Sequence, residues 1–230
     1  MAYLLHIDTA LDKASVCLSN NESVLQIRHS HQQKEHASFL HSAIVNMLEE
    51  EKLPAAQLSA IAVSSGPGSY TGLRIGMAAA KGLCYASNIP LITISTFEII
   101  CAEALTQFKA VNKLITKEQL LCPMIDARRQ EVYMALLNQQ LEYIEPAASV
   151  ILSTNTLIGQ LNAFKISFFG NGAIKFKSLC THENAEFLNI DYDAASMVKL
   201  SYQRFRANLF ANLAYTEPFY GKEFYSSIKH

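Results

Sequence analysis

The 230 residues predict an α/β protein of two duplicated halves, each a mixed sheet flanked by helices. Three observations lead there. The block from Ser59 to Leu83 reads as a buried strand, a tight glycine loop and a long helix. The chain opens as an antiparallel meander whose first strand ends in Asp8. The same strand–Asp–turn–strand layout restarts at Leu121–Asp126 and Glu131–Leu137.

Composition narrows the class. Hydrophobic residues make up 50% of the chain, so a substantial core is expected and disorder is not. Nineteen Lys plus Arg against twenty Asp plus Glu leave a net charge of −1, which excludes independent, tight binding to a polyanion. Cys17, Cys84, Cys101, Cys122 and Cys180 are widely spaced and lack finger or Cys-x-x-Cys spacing, which predicts reduced thiols and a cytoplasmic location. The opening Met1–Asp8 is broken by His6 and Asp8 before it reads as a signal sequence, and no later apolar run is long enough to span a membrane.

Taken in order, Tyr3–Ile7, Ala14–Leu18 and Val24–His29 have strand character, joined by polar turns at Asp12-Lys13 and Asn20-Asn21. Phe39, Leu40, Ala43, Ile44, Met47 and Leu48 fall on one helical stripe that Leu53-Pro54 ends. Glu49, Glu50 and Glu51 read as a solvated helix end, or as acids awaiting a basic partner, because they oppose the helix dipole. In the glycine block, Gly66, Pro67 and Gly68 force a reversal and Ser69 or Thr71 caps the helix. The block has no Gly-Lys-Ser/Thr ending and no third glycine at dinucleotide-fold spacing. Leu91–Ile94 is a short buried strand, and Ser95 with Glu98 starts a helix through about Ala104. In the second half, Phe164–Phe169 runs into Gly170-Asn171-Gly172 as Ala60–Val63 runs into Gly66-Pro67-Gly68. Helical periodicity returns from Ala194 to Ala214, Pro218 stops it, and the aromatic tail from Phe219 is expected to pack back.

Two such halves describe the architecture shared by actin, sugar kinases and Hsp70 chaperones: residues 1–105 form the first half, with the glycine loop, and 106–230 the smaller second half, with a terminal helix. The Ser64–Leu83 block, the opening His6-Ile-Asp-Thr9 and Asp126-Ala-Arg-Arg-Gln-Glu-Val-Tyr133 resemble the TsaB (YeaZ) family, densely in the first half and thinly in the second. Gln130 stands where relatives commonly have glycine. The resemblance implies a non-catalytic subunit that pairs with TsaD. With a TsaE-like ATPase it supports transfer of threonylcarbamoyl to the adenosine beside the tRNA anticodon. It implies no cofactor, tRNA contact only through the complex, no membrane, and a homodimer when alone.

The paralogue TsaD carries two metal-binding histidines in a segment that this chain resembles as Pro90-Leu-Ile-Thr-Ile-Ser-Thr-Phe-Glu-Ile-Ile100, which places Thr96 and Ile100 at those positions. Isoleucine cannot ligate and a lone threonine is a poor ligand. His29, His31, His36 and His41 do not rebuild a site, since His36 and His41 point well apart around a helix and only Glu35 is near in sequence. No protease motif is present. The alternative function is a small actin-fold ATPase or kinase. Its weak cofactor-binding candidates are Asp8, Thr9 and Asp126, in turns that lack the glycines a phosphate hairpin uses. The same aspartates equally serve as strand ends bonded to turn N–H groups.

The expected partner interface joins the two helices of the first half. Gly72, Gly76 and Ala80 recur every fourth residue with Ala79 and Leu83 nearby, a stripe that suits either internal packing or a closely approaching partner helix, and the resemblance favours the partner. Phe39, Ala43 and Met47 supply the second helix, and Arg74 is a candidate for a loop or partner salt bridge.

Overall fold

The computed structural model describes residues 1–30, 36–113, 115–116 and 118–221. His31 and Glu35 lie outside them. The meander forms as expected: β1 (Tyr3–Asp8), β2 (Ala14–Asn20) and β3 (Ser23–Ser30) are antiparallel neighbours. Helix α1 (His36–Glu50), β4 (Leu58–Ser64), α2 (Tyr70–Ser87) and β5 (Leu91–Ile94) complete a five-stranded sheet in the order β3-β2-β1-β4-β5. The parallel pairs β1–β4 and β4–β5 lie at its centre and edge.

After α3 (Thr96–Ala110), the second half repeats the plan with β6 (Gln119–Asp126), β7 (Glu131–Leu137), β8 (Tyr143–Ile151), α4 (Ile158–Ala163), β9 (Lys165–Phe169), α5 (Ala173–Lys177) and β10 (Ala185–Phe187). Its order, β8-β7-β6-β9-β10, is that of the first sheet element for element, as are its strand directions. Two mixed five-stranded sheets flanked by helices are the duplicated actin-like fold.

Each layer follows from which face of a strand is apolar. Leu5, Ile7, Val16 and Leu18 turn to one side of the first sheet, where Leu40, Ile44, Met47, Met77 and Ala80 of α1 and α2 cover them. Leu4, Cys17, Ala60 and Ala62 turn to the other, under Ile99 of α3 and the segment Ala194, Met197 and Val198. Helix α3 is shared: Phe97, Ile100, Cys101, Ala104 and Phe108 also pack on Leu121, Ile125, Ala135 and Leu137 of the second sheet. That burial of Phe108 explains why α3 runs past Ala104 to Ala110. The Ser95–Glu98 capping box forms, with Phe97 N donating to Ser95 Oγ at 3.2 Å and Ser95 N to Glu98 Oε2 at 2.9 Å.

The C-terminal periodicity is only partly helical. A 3₁₀ turn (Ala194–Met197) leads into α6 (Val198–Arg206), which packs on the first sheet, and Asn208 at φ 54° ends it with Leu209 N donating to Arg204 O at 2.9 Å. Ala211 N then donates to Leu91 O at 2.8 Å, so the chain continues along the edge of β5. The acidic end of α1 meets β3: Arg28 pairs with Glu50 at 2.6 Å and Gln26 donates to Glu51 at 2.7 Å, exposed contacts that contribute at most about 1 kcal/mol each.

A polar ring sits deep in this core. His6 on β1 is fully buried, with Nε2 2.8 Å from Ser19 Oγ on β2 and Nδ1 3.0 Å from Ser201 Oγ on α6. The Ser201 hydroxyl also lies within hydrogen-bond reach of the Met197 and Val198 carbonyls. Burial lowers the imidazole pKa from 6.5 to about 3, so His6 is neutral and ties α6 to the sheet. Between about pH 6.5 and 3 the unfolded chain binds the proton and the folded chain does not, so stability falls as pH drops through that window. Buried Asp8, whose pKa is raised by desolvation, contributes with the opposite sign, which makes comparison with a His6 variant necessary. Urea denaturation should show the wild type losing about 2 to 3 kcal/mol more than His6→Asn between pH 6.5 and 4.5; equal losses would contradict a neutral, buried imidazole.

Candidate partner interface and cleft

The glycine loop is fixed from three sides. Ser65 N donates to Ile94 O at 2.8 Å, Thr96 N to Gly66 O at 2.9 Å, and Ser69 N to Ala10 O at 2.7 Å. Gly66 has φ +103°, a left-handed value that side chains rarely adopt. Of the two predicted caps, Ser69 is the one used: its Oγ accepts from Gly72 N at 3.3 Å, while Thr71 is exposed.

Helix α2 lies directly on the turn after β1. Thr9 Oγ1 donates to Gly72 O at 2.7 Å. A Cβ at Gly68 would stand 2.2 Å from Ala10 O, one at Gly72 2.2 Å from Thr9 O, and one at Gly76 2.3 Å from Thr9 Oγ1. The glycines therefore serve close approach inside the chain, and Ala80 is buried in the same core. This corrects the reading of Gly72, Gly76 and Ala80 as a stripe open to a partner. Ala43 and Met47 are likewise core residues. Phe39 and Leu48 of α1 and Ile75, Ala79 and Leu83 of α2 are only partly buried at the edges of that core, the three on α2 recurring every fourth residue along one face. Val45 on α1 (51%) and Tyr85 on α2 (83%) are exposed, Tyr85 facing away from Leu83 around the helix. Arg74 is exposed; its guanidinium donates to the Tyr70 hydroxyl and lies 5.2 Å from that ring, so among the described residues a tyrosine and not a carboxylate meets it.

Between the halves is a cleft of about 540 Å³, lined on one wall by Ala10–Asp12 and Gly68–Thr71 and on the other by Ile125–Arg128, Tyr133 and Asn171. Asp8 and Asp126 end the equivalent strands beside it and make the same turn: Ala10 N donates to Asp8 Oδ1 at 3.1 Å, and Arg128 N to Asp126 Oδ1 at 2.6 Å. Asp8 is buried; desolvation raises its pKa against the hydrogen bonds from Ser64 and Ala10. Thr9 is also buried and its hydroxyl is committed to α2. Partial burial raises the Asp126 carboxyl, but the Lys175 ammonium 2.6 Å away and Arg128 outweigh it and hold the pKa below the usual range. Lys175 and the Tyr70–Tyr133 pair of wall residues were not legible in sequence. The second turn lacks glycine yet carries Arg128 at φ 68° and Arg129 at φ 48°.

The histidines separate. His29 Nε2 pairs with Asp193 at 3.0 Å, His36 Nε2 lies 3.1 Å from Asp12 O, and His41 is exposed. Among the described residues no three His, Cys, Asp or Glu side chains group as a metal site. All five cysteines are unpaired, and burial raises the thiol pKa of Cys17, Cys84, Cys101 and Cys122. Among the described residues no helix is long and apolar enough to cross a membrane.

The comparisons with known proteins agree with this geometry. The family described as "TsaD: tRNA N6-adenosine threonylcarbamoyltransferase" matches residues 23–220. The Bacillus subtilis tRNA threonylcarbamoyladenosine biosynthesis protein TsaB is 31% identical over 65% of this chain, and the match spans 62% of that protein, less than two thirds of its length. A Streptococcus pyogenes tRNA N6-adenosine threonylcarbamoyltransferase is 31% identical over 40% of the chain and 32% of its own length. A crystal structure from Pseudomonas aeruginosa, described as an uncharacterized protein with similarity to peptidase YEAZ, superposes with a TM-score of 0.80 at 22% identity, covering 96% of this chain and 100% of that one, which establishes the shared fold. The chain is thus a member of the TsaD family, in its TsaB (YeaZ) branch.

Proposed function

We propose that the chain is a non-catalytic subunit in the biosynthesis of threonylcarbamoyladenosine in tRNA, pairing with a TsaD-like catalytic subunit alongside a TsaE-like ATPase in the cytoplasm. The observation that carries the reading is the pair Thr96 and Ile100. Both are fully buried at the start of α3, and Ile100 packs in the core between the halves. A hydrocarbon offers no lone pair and one hydroxyl is a weak donor for a divalent ion, so the donor set does not fit the family's metal. The scaffold remains while the ligands are gone, which suits a subunit that holds another in its working conformation. Such a subunit acts through differential affinity for the active state of its partner.

The surface offered for pairing is the α1–α2 seam. Ile75, Ala79 and Leu83 share one partly buried apolar face of α2, and Phe39 of α1 is apolar and partly buried as well. Its occupant is the TsaD-like subunit, or a second copy of this chain when that subunit is missing. With a net charge of −1, the chain meets tRNA through the assembly. The nucleotide-binding alternative is weakened by the commitment of Asp8 and Thr9 to the turn and to α2.

Ala79→Glu puts a charge at the edge of the first core and should weaken calorimetric affinity for the TsaD-like subunit by about tenfold or more, with a smaller loss of stability than Gly76→Leu. Gly76→Leu should act differently, lowering stability by roughly 1 to 3 kcal/mol through overpacking against Thr9; unchanged affinity in Ala79→Glu would move the interface elsewhere. Given threonylcarbamoyl-adenylate and tRNA, the purified chain should form no modified nucleoside by mass spectrometry until the TsaD-like and TsaE-like proteins are added. Turnover by the chain unaided would overturn the non-catalytic assignment.

A further inference from the structure

The segment after α6 does more than cover a core edge. From Ala211 on β5, it passes α2, where Lys81 Nζ donates to Ala214 O at 3.3 Å and Thr216 O at 3.2 Å. Phe219 N then donates to Ser65 O at 2.7 Å, and the Phe219 carbonyl lies so near Gly66 that a Cβ there would stand 2.2 Å from it. The Tyr220 ring packs on Tyr70 at 4.8 Å, and Gly221, at φ +72°, sits against the Tyr133 ring, where a Cβ would come within 2.4 Å. Tyr70 and Tyr133 belong to opposite walls of the cleft. Consecutive residues of the tail thus touch one lining residue from each half.

We propose that residues 211–221 form a latch across the rim of the inter-half cleft, and that its release lets the two walls move apart. On one side the halves are joined by the buried face of α3, a continuous apolar contact. On the rim side the latch is anchored to the first half by main-chain hydrogen bonds, the Lys81 grip and Tyr220 on Tyr70, and it reaches the second half through Gly221 against Tyr133. Beyond Ala211 and Leu213, which pack on the first core, the latch buries little apolar area: Tyr215 is 84% exposed and Phe219 48%, so its end belongs to the part of the fold that opens at low free-energy cost. The left-handed Gly66 is the seat the latch requires, which gives the first glycine of the loop a task separate from the packing of Gly72 and Gly76. The inference concerns the chain alone and holds or fails independently of the pairing reading.

Hydrogen exchange on the full chain tests it. Tyr220→Ala and Gly221→Val should accelerate exchange of the Phe219 amide, of the Ser69 amide on one cleft wall and of the Glu131 amide beside the other, by roughly fivefold or more, while β1 amides keep wild-type rates. Faster Phe219 exchange with unchanged Ser69 and Glu131 would make the tail a passive appendage. If a variant speeds β1 amides as well, it has lost global stability. The deciding measurement is then the distance between spin labels at Thr71→Cys and Arg129→Cys on the folded protein, compared with Lys81→Met as a milder release. An outward shift supports the latch, and an unchanged distribution refutes it.

Discussion

The architecture depends on one contact: the glycine face of α2 against the Thr9–Ala10 turn. Three Cβ-less positions let the helix axis come close enough for Thr9 Oγ1 to reach a helix carbonyl and for Ser69 N to reach Ala10 O. That closeness buries Thr9 and Asp8 and turns Asp8 into an anchor for its own turn. It also sets the depth of α2, and with it which residues are left at the seam with α1. A side chain at any of the three glycines would lift the helix, and the surface it presents with it.

The second half shows what happens when the same plan carries a different load. Gly170, at φ +93°, and Gly172 again bring a loop against the end of the equivalent strand, with Met124 O 2.4 Å and Ile125 C 2.9 Å from where Cβ atoms would sit. The helix that follows has only 5 residues, against 18 in α2. It presents Lys175 to Asp126 and no extended face. The duplication is one of sheets, and the helices have diverged: the first half keeps a long helix pair with an apolar seam, while the second supplies the opposite wall of the cleft. Lying between them, α3 is common property: Ile99 packs under the first sheet while Phe97, Ile100 and Cys101 pack on the second.

Much of this was legible in the sequence where pattern and chemistry agreed. The meander, the glycine loop, the Ser95–Glu98 capping box and the restart at Leu121 all carried both a period and a turn signal. β8 did not, because it is an edge strand with mixed exposure and a proline at position 146, and β10 is only three residues long. Spacing placed Gly72, Gly76 and Ala80 on one face but left undetermined whether that face looked in or out; the answer rests with Thr9, sixty residues away and unreachable by periodicity. The latch was half visible, since an aromatic tail announces packing but not its seat. Helicity beyond Arg206 was over-read because Asn208 ends the helix in the left-handed conformation where glycine is the commoner signal.

The central claim is that α2 turns its glycine face inward and its Ala79–Leu83 side toward the catalytic subunit. A cryo-electron microscopy structure of the chain bound to a TsaD-like protein tests it most directly. The account predicts partner atoms in van der Waals contact with Phe39, Ala79 and Leu83, Thr9 still seated on Gly72 and Gly76, and metal held by the partner alone. Partner atoms packed on Gly72 and Gly76 with Thr9 displaced, or a metal ion beside Thr96, would contradict it.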